Sequence, residues 1–150
     1  MFFIFLISAI IQIETGGKNI NGDSGKSIGL MQVRVATCKE MLKRDKSLFS
    51  ELSDKAVKTA LSIPIFNVYC GKKYVSYLIR TNKALDVAIN AYNTGNFTPL
   101  KHDTSRVYVK RVKKYMGIKY YLYNWLFNFN KKLLLMMLGE KWKLKWMFPI

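Results

Sequence analysis

The chain has 150 residues, the length of one ordinary domain, and carries 25 Lys and Arg against 9 Asp and Glu, for a formal net charge of +16. Half of its residues are hydrophobic, which supports a packed core and excludes global disorder; the charge points to an anionic partner, whether nucleic acid, a membrane surface or an acidic polymer. One His (His102) and two Cys (Cys38, Cys70) are too few for a zinc site of the usual spacing, no apolar run reaches the roughly 18 to 20 residues that span a bilayer, and no glycine-rich phosphate loop occurs.

In chain order, residues 1–14 are apolar except for Ser8, Gln12 and Glu14. Two readings compete. As a signal peptide the stretch has a suitable apolar length and Ile7-Ser8-Ala9 as a cleavage-like site, but no Lys or Arg precedes Lys18, so the charged leader region is missing. A helix apolar on all sides and buried is favoured, stopped by Gly16-Gly17. Residues 15–28 have the composition of tight turns. Residues 35–46 read as a charged helix, and Ser53-Asp54 caps a helix running toward Ser62. Pro64 interrupts; a helix resumes near Asn67 and continues to Arg80, with Val68, Val75, Leu78 and Ile79 at helical spacing and Asn82 as a left-handed cap. Residues 84–93 form a short apolar helix closed by Gly95. Thr104 or Ser105 caps an amphipathic helix whose stripe is Tyr108, Val109, Val112, Tyr115 and Met116, ended by Gly117. No segment alternates with period two long enough to demand a strand. The fold class is therefore all-α, with at most a small hairpin within residues 15–33.

Composition changes after Gly117. Residues 118–150 hold every Trp of the chain (Trp125, Trp142, Trp146), with six Lys and one Glu. Three descriptions fit: an interfacial amphipathic helix, a helix docked on another protein, or an ordinary C-terminal helix packing on its own domain. For Cys38 and Cys70, on separate predicted helices, two buried thiols are favoured over a bridge, because sequence does not set their distance.

Glu14 is the most informative position. It is the only carboxylate among the first 22 residues and it ends an apolar helix, with Ile7, Ile10 and Ile11 on its own face. Desolvation and the negative end of the helix dipole both favour its protonated form, the state a general acid for glycoside cleavage requires. Alone, a Glu at a helix end that simply reaches water explains it as well.

Four further blocks follow: Gly29-Leu30-Met31-Gln32; Asn67-Val68-x-x-Gly71-x-x-Tyr74-Val75; Ala91-Tyr92-Asn93-Thr94-Gly95; and Tyr108-Val109. Their order and spacing after an apolar helix ending in Glu resemble the soluble lytic transglycosylase family of peptidoglycan-cleaving enzymes, over about residues 5–117. The resemblance implies a lysozyme-like transglycosylase fold, a catalytic domain at 1–117 and a basic aromatic tail at 118–150. It implies Glu14 as catalytic acid/base, Met31 and Gln32 lining the cleft near the scissile bond, and Tyr92 and Asn93 contacting a sugar beside the catalytic Glu. Tyr108 corresponds to an aromatic packed near that carboxylate, and Asn67 and Gly71 to helix-packing positions. For Met31, core packing is an equal alternative.

Departures from the pattern are Thr15 for Ser after the Glu, Lys26-Ser27 for Gly-Ala, and Thr94 for Ala. The loop over residues 21–32 is closer to secretion-system and phage-borne members. The few residues before Glu14 suggest either a stripped-down phage-type enzyme or a missing start.

Glycosidases normally use two carboxylates, and only Asp23 is near Glu14 in sequence, in a Gly-rich turn. The resemblance implies a one-carboxylate route that needs no cofactor and no metal: cleavage between N-acetylmuramic acid and N-acetylglucosamine with closure of a 1,6-anhydro ring. A muramidase in which Asp23 positions water, and a degenerate structural part of a phage or secretion machine, are the alternatives. The expected partner is the peptidoglycan strand, with a membrane surface or a protein for the 118–150 tail and no specific nucleic acid. The expected place of action is the cell envelope, periplasm or a phage virion.

Overall fold

The computed structural model describes residues 2–95 and 103–129, so His102, Trp142 and Trp146 lie outside the described residues. Seven helices are described: α1 (Phe2–Thr15), α2 (Val35–Arg44), α3 (Asp54–Leu61), α4 (Pro64–Thr81), α5 (Leu85–Thr94), α6 (Asp103–Met116) and α7 (Ile118–Phe129). The only described sheet is a two-stranded hairpin, β1 (Asn21–Gly22) with β2 (Ser27–Ile28), antiparallel with Asn21 opposite Ile28. The expected all-α class with a small hairpin is what the chain adopts. No described helix is long and apolar enough to cross a membrane.

The chain divides into two compact units. One spans residues 7–77. Its buried side chains come from α1 (Ile7, Ala9, Ile10), the hairpin region (Ile28, Met31, Val33), α2 (Cys38, Met41, Leu42), α3 (Val57, Leu61) and α4 (Cys70, Val75). Helix α3 starts as its sequence predicts: the Ser53 hydroxyl accepts from the Ala56 N–H at 3.3 Å, satisfying one donor of the first turn. Lys73 on α4 pairs with Asp45 just beyond α2.

The second unit comprises residues 2–6 and, from residue 78 on, the described parts of the chain. Leu85, Ala88, Ile89 and Ala91 of α5, Tyr108, Val109, Val112 and Met116 of α6, and Tyr120 and Phe127 of α7 are buried. Helix α5 ends on left-handed Gly95 (φ 70°). Asp86 on α5 ties three helices together: it accepts from Lys113 Nζ of α6 at 2.7 Å and from the Tyr120 hydroxyl of α7.

Five expectations are corrected. Pro64 does not interrupt α4 but opens it: proline at the first helical position loses an N–H that no helix could have bonded there. Asn82 is not left-handed; it is buried, and its Nδ2 donates to the Leu78 carbonyl at 2.8 Å, closing α4 by side chain instead. Helix α6 begins at Asp103, so Thr104 and Ser105 lie within it. Tyr115 is 53% exposed and so is not part of the buried α6 stripe, although it stands three residues after buried Val112 and seven after buried Tyr108. Cys38 and Cys70 are bridged, with Cα atoms 5.2 Å apart, well inside the range a disulfide needs.

The bridge closes a loop of 32 residues between α2 and α4, and loop-closure entropy gives it about 3 to 4 kcal/mol of stabilisation. Intact-mass analysis after alkylation in denaturant is expected to show no label without reductant and two labels after reduction. Two labels taken up by unreduced, denatured protein would show two thiols.

Candidate active site

Glu14 is the penultimate residue of α1, half-buried, one turn beyond buried Ile10 and two beyond Ile7. Its position is set by its neighbour. The Thr15 hydroxyl lies 3.1 Å from both the Ile11 carbonyl of its own helix and the Leu30 carbonyl across the loop. The second contact fastens the end of α1 to the Gly29–Gln32 segment, so the hydroxyl retained at position 15 has a structural use. The chain then leaves the helix through Gly16, whose N–H bonds the Gln12 carbonyl at 3.0 Å.

The Gly29–Gln32 segment is held from below by Asn67, the first Asn of α4 and fully buried. The Met31 N–H donates to Asn67 Oδ1 at 2.8 Å, and Asn67 Nδ2 donates to the Ile28 carbonyl at 2.6 Å and the Leu61 carbonyl at 3.1 Å. Two glycines make room for this clamp. Gly29 has φ +71°, and a Cβ there would stand 2.5 Å from Asn67 Nδ2 and 3.0 Å from the Leu61 carbonyl. Gly71, one turn after Asn67, lies under Met31: a Cβ would stand 2.5 Å from the Met31 sulfur. Met31 is fully buried, its sulfur filling the space that Gly71 leaves. The structure therefore places Met31 among the buried side chains of this unit.

Gln32 takes a left-handed backbone (φ 49°), an uncommon conformation for a residue with a side chain, costing on the order of 1 kcal/mol. Its side chain explains how the turn persists. Both amide hydrogens are committed to the backbone, Nε2 donating to the Ile20 and Gly29 carbonyls at 2.8 Å each. Oε1 lies against Gly22 of β1, where a Cβ would collide with it. Gln32 thus joins the hairpin to the loop that carries Leu30, the partner of Thr15.

Asp23, at the hairpin tip (φ 48°), is the carboxylate nearest Glu14 in sequence. Its Oδ2 accepts from Ser27 Oγ at 2.9 Å and Arg34 Nη2 at 3.0 Å. The Ser27 hydrogen bond first, and the Arg34 guanidinium second, hold the Asp23 carboxyl below its usual value.

Tyr92, Asn93 and Tyr108 belong to the second unit. Tyr92 is half-buried and Asn93 exposed in the last turn of α5, and Tyr108 is 7% exposed on α6. Asn90, one turn before Asn93 and Thr94, is buried. An open apolar groove along α3, lined by Leu52, Ala56, Ala60 and Ile63, contains none of the candidate residues. Among the described residues no cluster of His, Cys, Asp and Glu could hold a metal ion.

Sequence reasoning missed three features. The tertiary bond of Thr15 had no signal beyond a hydroxyl after the Glu. Asn67 was expected to set helix packing, whereas its amide bonds the backbone of the loop. The Asp23–Arg34 pair was readable only as the one Arg close after a Gly-rich turn.

A family model, the Transglycosylase SLT domain, matches residues 4–115, and the chain belongs to that family of lysozyme-like, peptidoglycan-acting lytic transglycosylases. No curated protein and no solved structure matches the chain.

Asn67→Ala strands one buried N–H and two buried carbonyls, each costing about 1 to 3 kcal/mol, so a loss of roughly 3 kcal/mol or more is expected in urea unfolding. A loss below about 1 kcal/mol would show that the clamp does not hold the loop. A second expectation concerns pH. A carboxyl with a lowered folded value contributes its stability above pH 3.8 and loses it as pH falls through that lower value. The NMR titration midpoint of Asp23 should therefore lie below 3.8 and return toward it in Ser27→Ala.

Proposed function

We propose that the protein is a peptidoglycan lytic transglycosylase with Glu14 as its single catalytic acid and base, cleaving the β-1,4 bond between N-acetylmuramic acid and N-acetylglucosamine. The observation that carries this reading is the anchoring of the α1 end: Thr15 bonds Leu30 and Asn67 bonds Met31, which fixes the carboxylate-bearing turn against the Gly29–Gln32 loop. Family membership supplies the substrate class.

The chemistry needs one proton moved twice. Glu14 protonates the glycosidic oxygen, the C1–O bond of the muramic residue breaks, and the acetamido group of the substrate supports the developing positive charge. The Glu14 carboxylate then removes the proton of the C6 hydroxyl while O6 bonds C1, closing the 1,6-anhydro ring and restoring the acid. No metal or cofactor takes part. Engagement of Asp23 by Ser27 and Arg34 supports this route over hydrolysis, because a carboxylate tied to a guanidinium is a weaker base for water.

Gln32 positions the loop through its two amide hydrogen bonds. From the second unit, the family resemblance supports Tyr92 and Asn93 as sugar contacts, through an aromatic face and an amide, and Tyr108 as a supporting aromatic. The catalytic domain covers residues 1–117, in keeping with a family match that ends at residue 115. Action is in the cell envelope or periplasm, or from a phage virion.

Glu14→Gln keeps the shape and removes the proton, so clearing of a peptidoglycan suspension should fall by about 10³-fold or more with the unfolding midpoint unchanged. Clearing at the parental rate would remove Glu14 from the chemistry. Mass spectrometry of the products decides the reaction: anhydro ends, one water lighter than reducing ends, are expected. Reducing muramic ends would mark a muramidase.

A further inference from the structure

Helix α7 is apolar on two opposite sides. Tyr120 and Phe127 are buried in the second unit, at 2% and 4% exposure. On the other side Ile118 (83%), Tyr121 (69%), Leu122 (41%) and Trp125 (55%) stand in solvent at positions i, i+3, i+4 and i+7, one continuous stripe. A helix apolar all round belongs in an apolar environment, and an exposed stripe of this kind marks a surface made to be covered.

Charge selects what covers it. The described residues of this unit from 78 on carry eight Lys and Arg against two Asp, and Asp86 is already engaged by Lys113 and Tyr120. Of these eight, Arg106, Lys110, Arg111 and Lys114 are exposed on α6, and Lys119 on α7 has its Nζ 3.4 Å from the centre of the Phe5 ring. A second copy would bring one strongly cationic unit against another. An anionic surface that also accepts Ile, Leu and the amphipathic rings of Tyr and Trp satisfies both the stripe and the charge.

We propose that α7 docks this protein on the surface of an anionic phospholipid bilayer, the Ile118–Tyr121–Leu122 stripe entering the interface while the cations of the unit attract the head groups. The helix lies on the membrane: its 12 described residues are too few to span one. The proposal is independent of the glycan chemistry.

The test is co-sedimentation of the full chain with vesicles of phosphatidylcholine containing about one-third phosphatidylglycerol, against vesicles of phosphatidylcholine alone. Binding to the anionic vesicles should be about tenfold or more tighter, and should weaken as salt is raised. Ile118→Glu with Leu122→Glu places charge at two exposed positions, so the fold is expected to survive and vesicle binding to fall by about tenfold or more. Ile118→Gln, a milder change, should lower binding by a smaller factor; it also serves should the double variant misfold.

Equal sedimentation with both vesicle types, no sedimentation with either, or unchanged binding by the folded double variant would each overturn the proposal. So would self-association of the parent without lipid that the same substitutions abolish, since that would put a second copy on the stripe.

Discussion

Within residues 7–77, one buried amide decides where the candidate chemistry sits. Asn67 has a single side chain with one acceptor and two donor hydrogens, and all three are used on backbone groups of residues 31, 28 and 61. Those groups have no water to turn to, so the loop takes the path that satisfies them or loses several kcal/mol. The glycines at 29 and 71 follow from this: the first keeps the backbone off the amide, the second admits Met31 beneath the loop. Only with Leu30 so placed does its carbonyl meet the Thr15 hydroxyl, and only then is the end of α1 fixed. The constraint runs from α4 to the loop to the turn that bears Glu14.

The second unit is organised by scarcity of negative charge. Asp86 is one of two acids among its described residues, and it is half-buried where Lys113 and Tyr120 converge. Such an acid does more for register than for net stability: it tells α6 and α7 where to sit against α5, because an uncompensated buried carboxylate is costly. The many cations left over cannot be neutralised within the unit. They stay at its surface, together with an apolar stripe that the docking of Tyr120 and Phe127 turns outward.

Most of the fold was legible from period and punctuation. The helix starting after Ser53 and the helix ending at Gly95 carry their signals in one or two residues, and those signals are local. Misreadings arose where local and tertiary logic differ. Pro64 reads as a break because proline is a breaker inside a helix, yet at the first turn its missing N–H costs nothing. Asn82 is a good left-handed residue, but its amide found the Leu78 carbonyl first. Tyr115 fits the helical period and still faces water, since periodicity marks an edge of a stripe less sharply than its centre. The Cys38–Cys70 pairing was beyond any spacing rule, for it depends on how α2 meets α4.

The site was legible in a particular way. Of the residues the motif blocks single out in this unit, only Glu14 carries a carboxyl group. Asn67, Gly71, Gly29 and Met31 are buried or closely packed, and they shape backbone. Gln32 spends both amide hydrogens on carbonyls and endures a left-handed turn to do so. In this unit the motif blocks therefore report mostly the backbone geometry around the end of α1. A reaction that asks for a single proton donor and returns that proton to the same group needs no more than this. The nearby Asp23 fits the same logic, its charge serving the hairpin through Ser27 and Arg34. A second catalytic carboxylate would have to be left unpaired to act on water, and Asp23 is the opposite: its affinity for protons is lowered by the two partners that hold it.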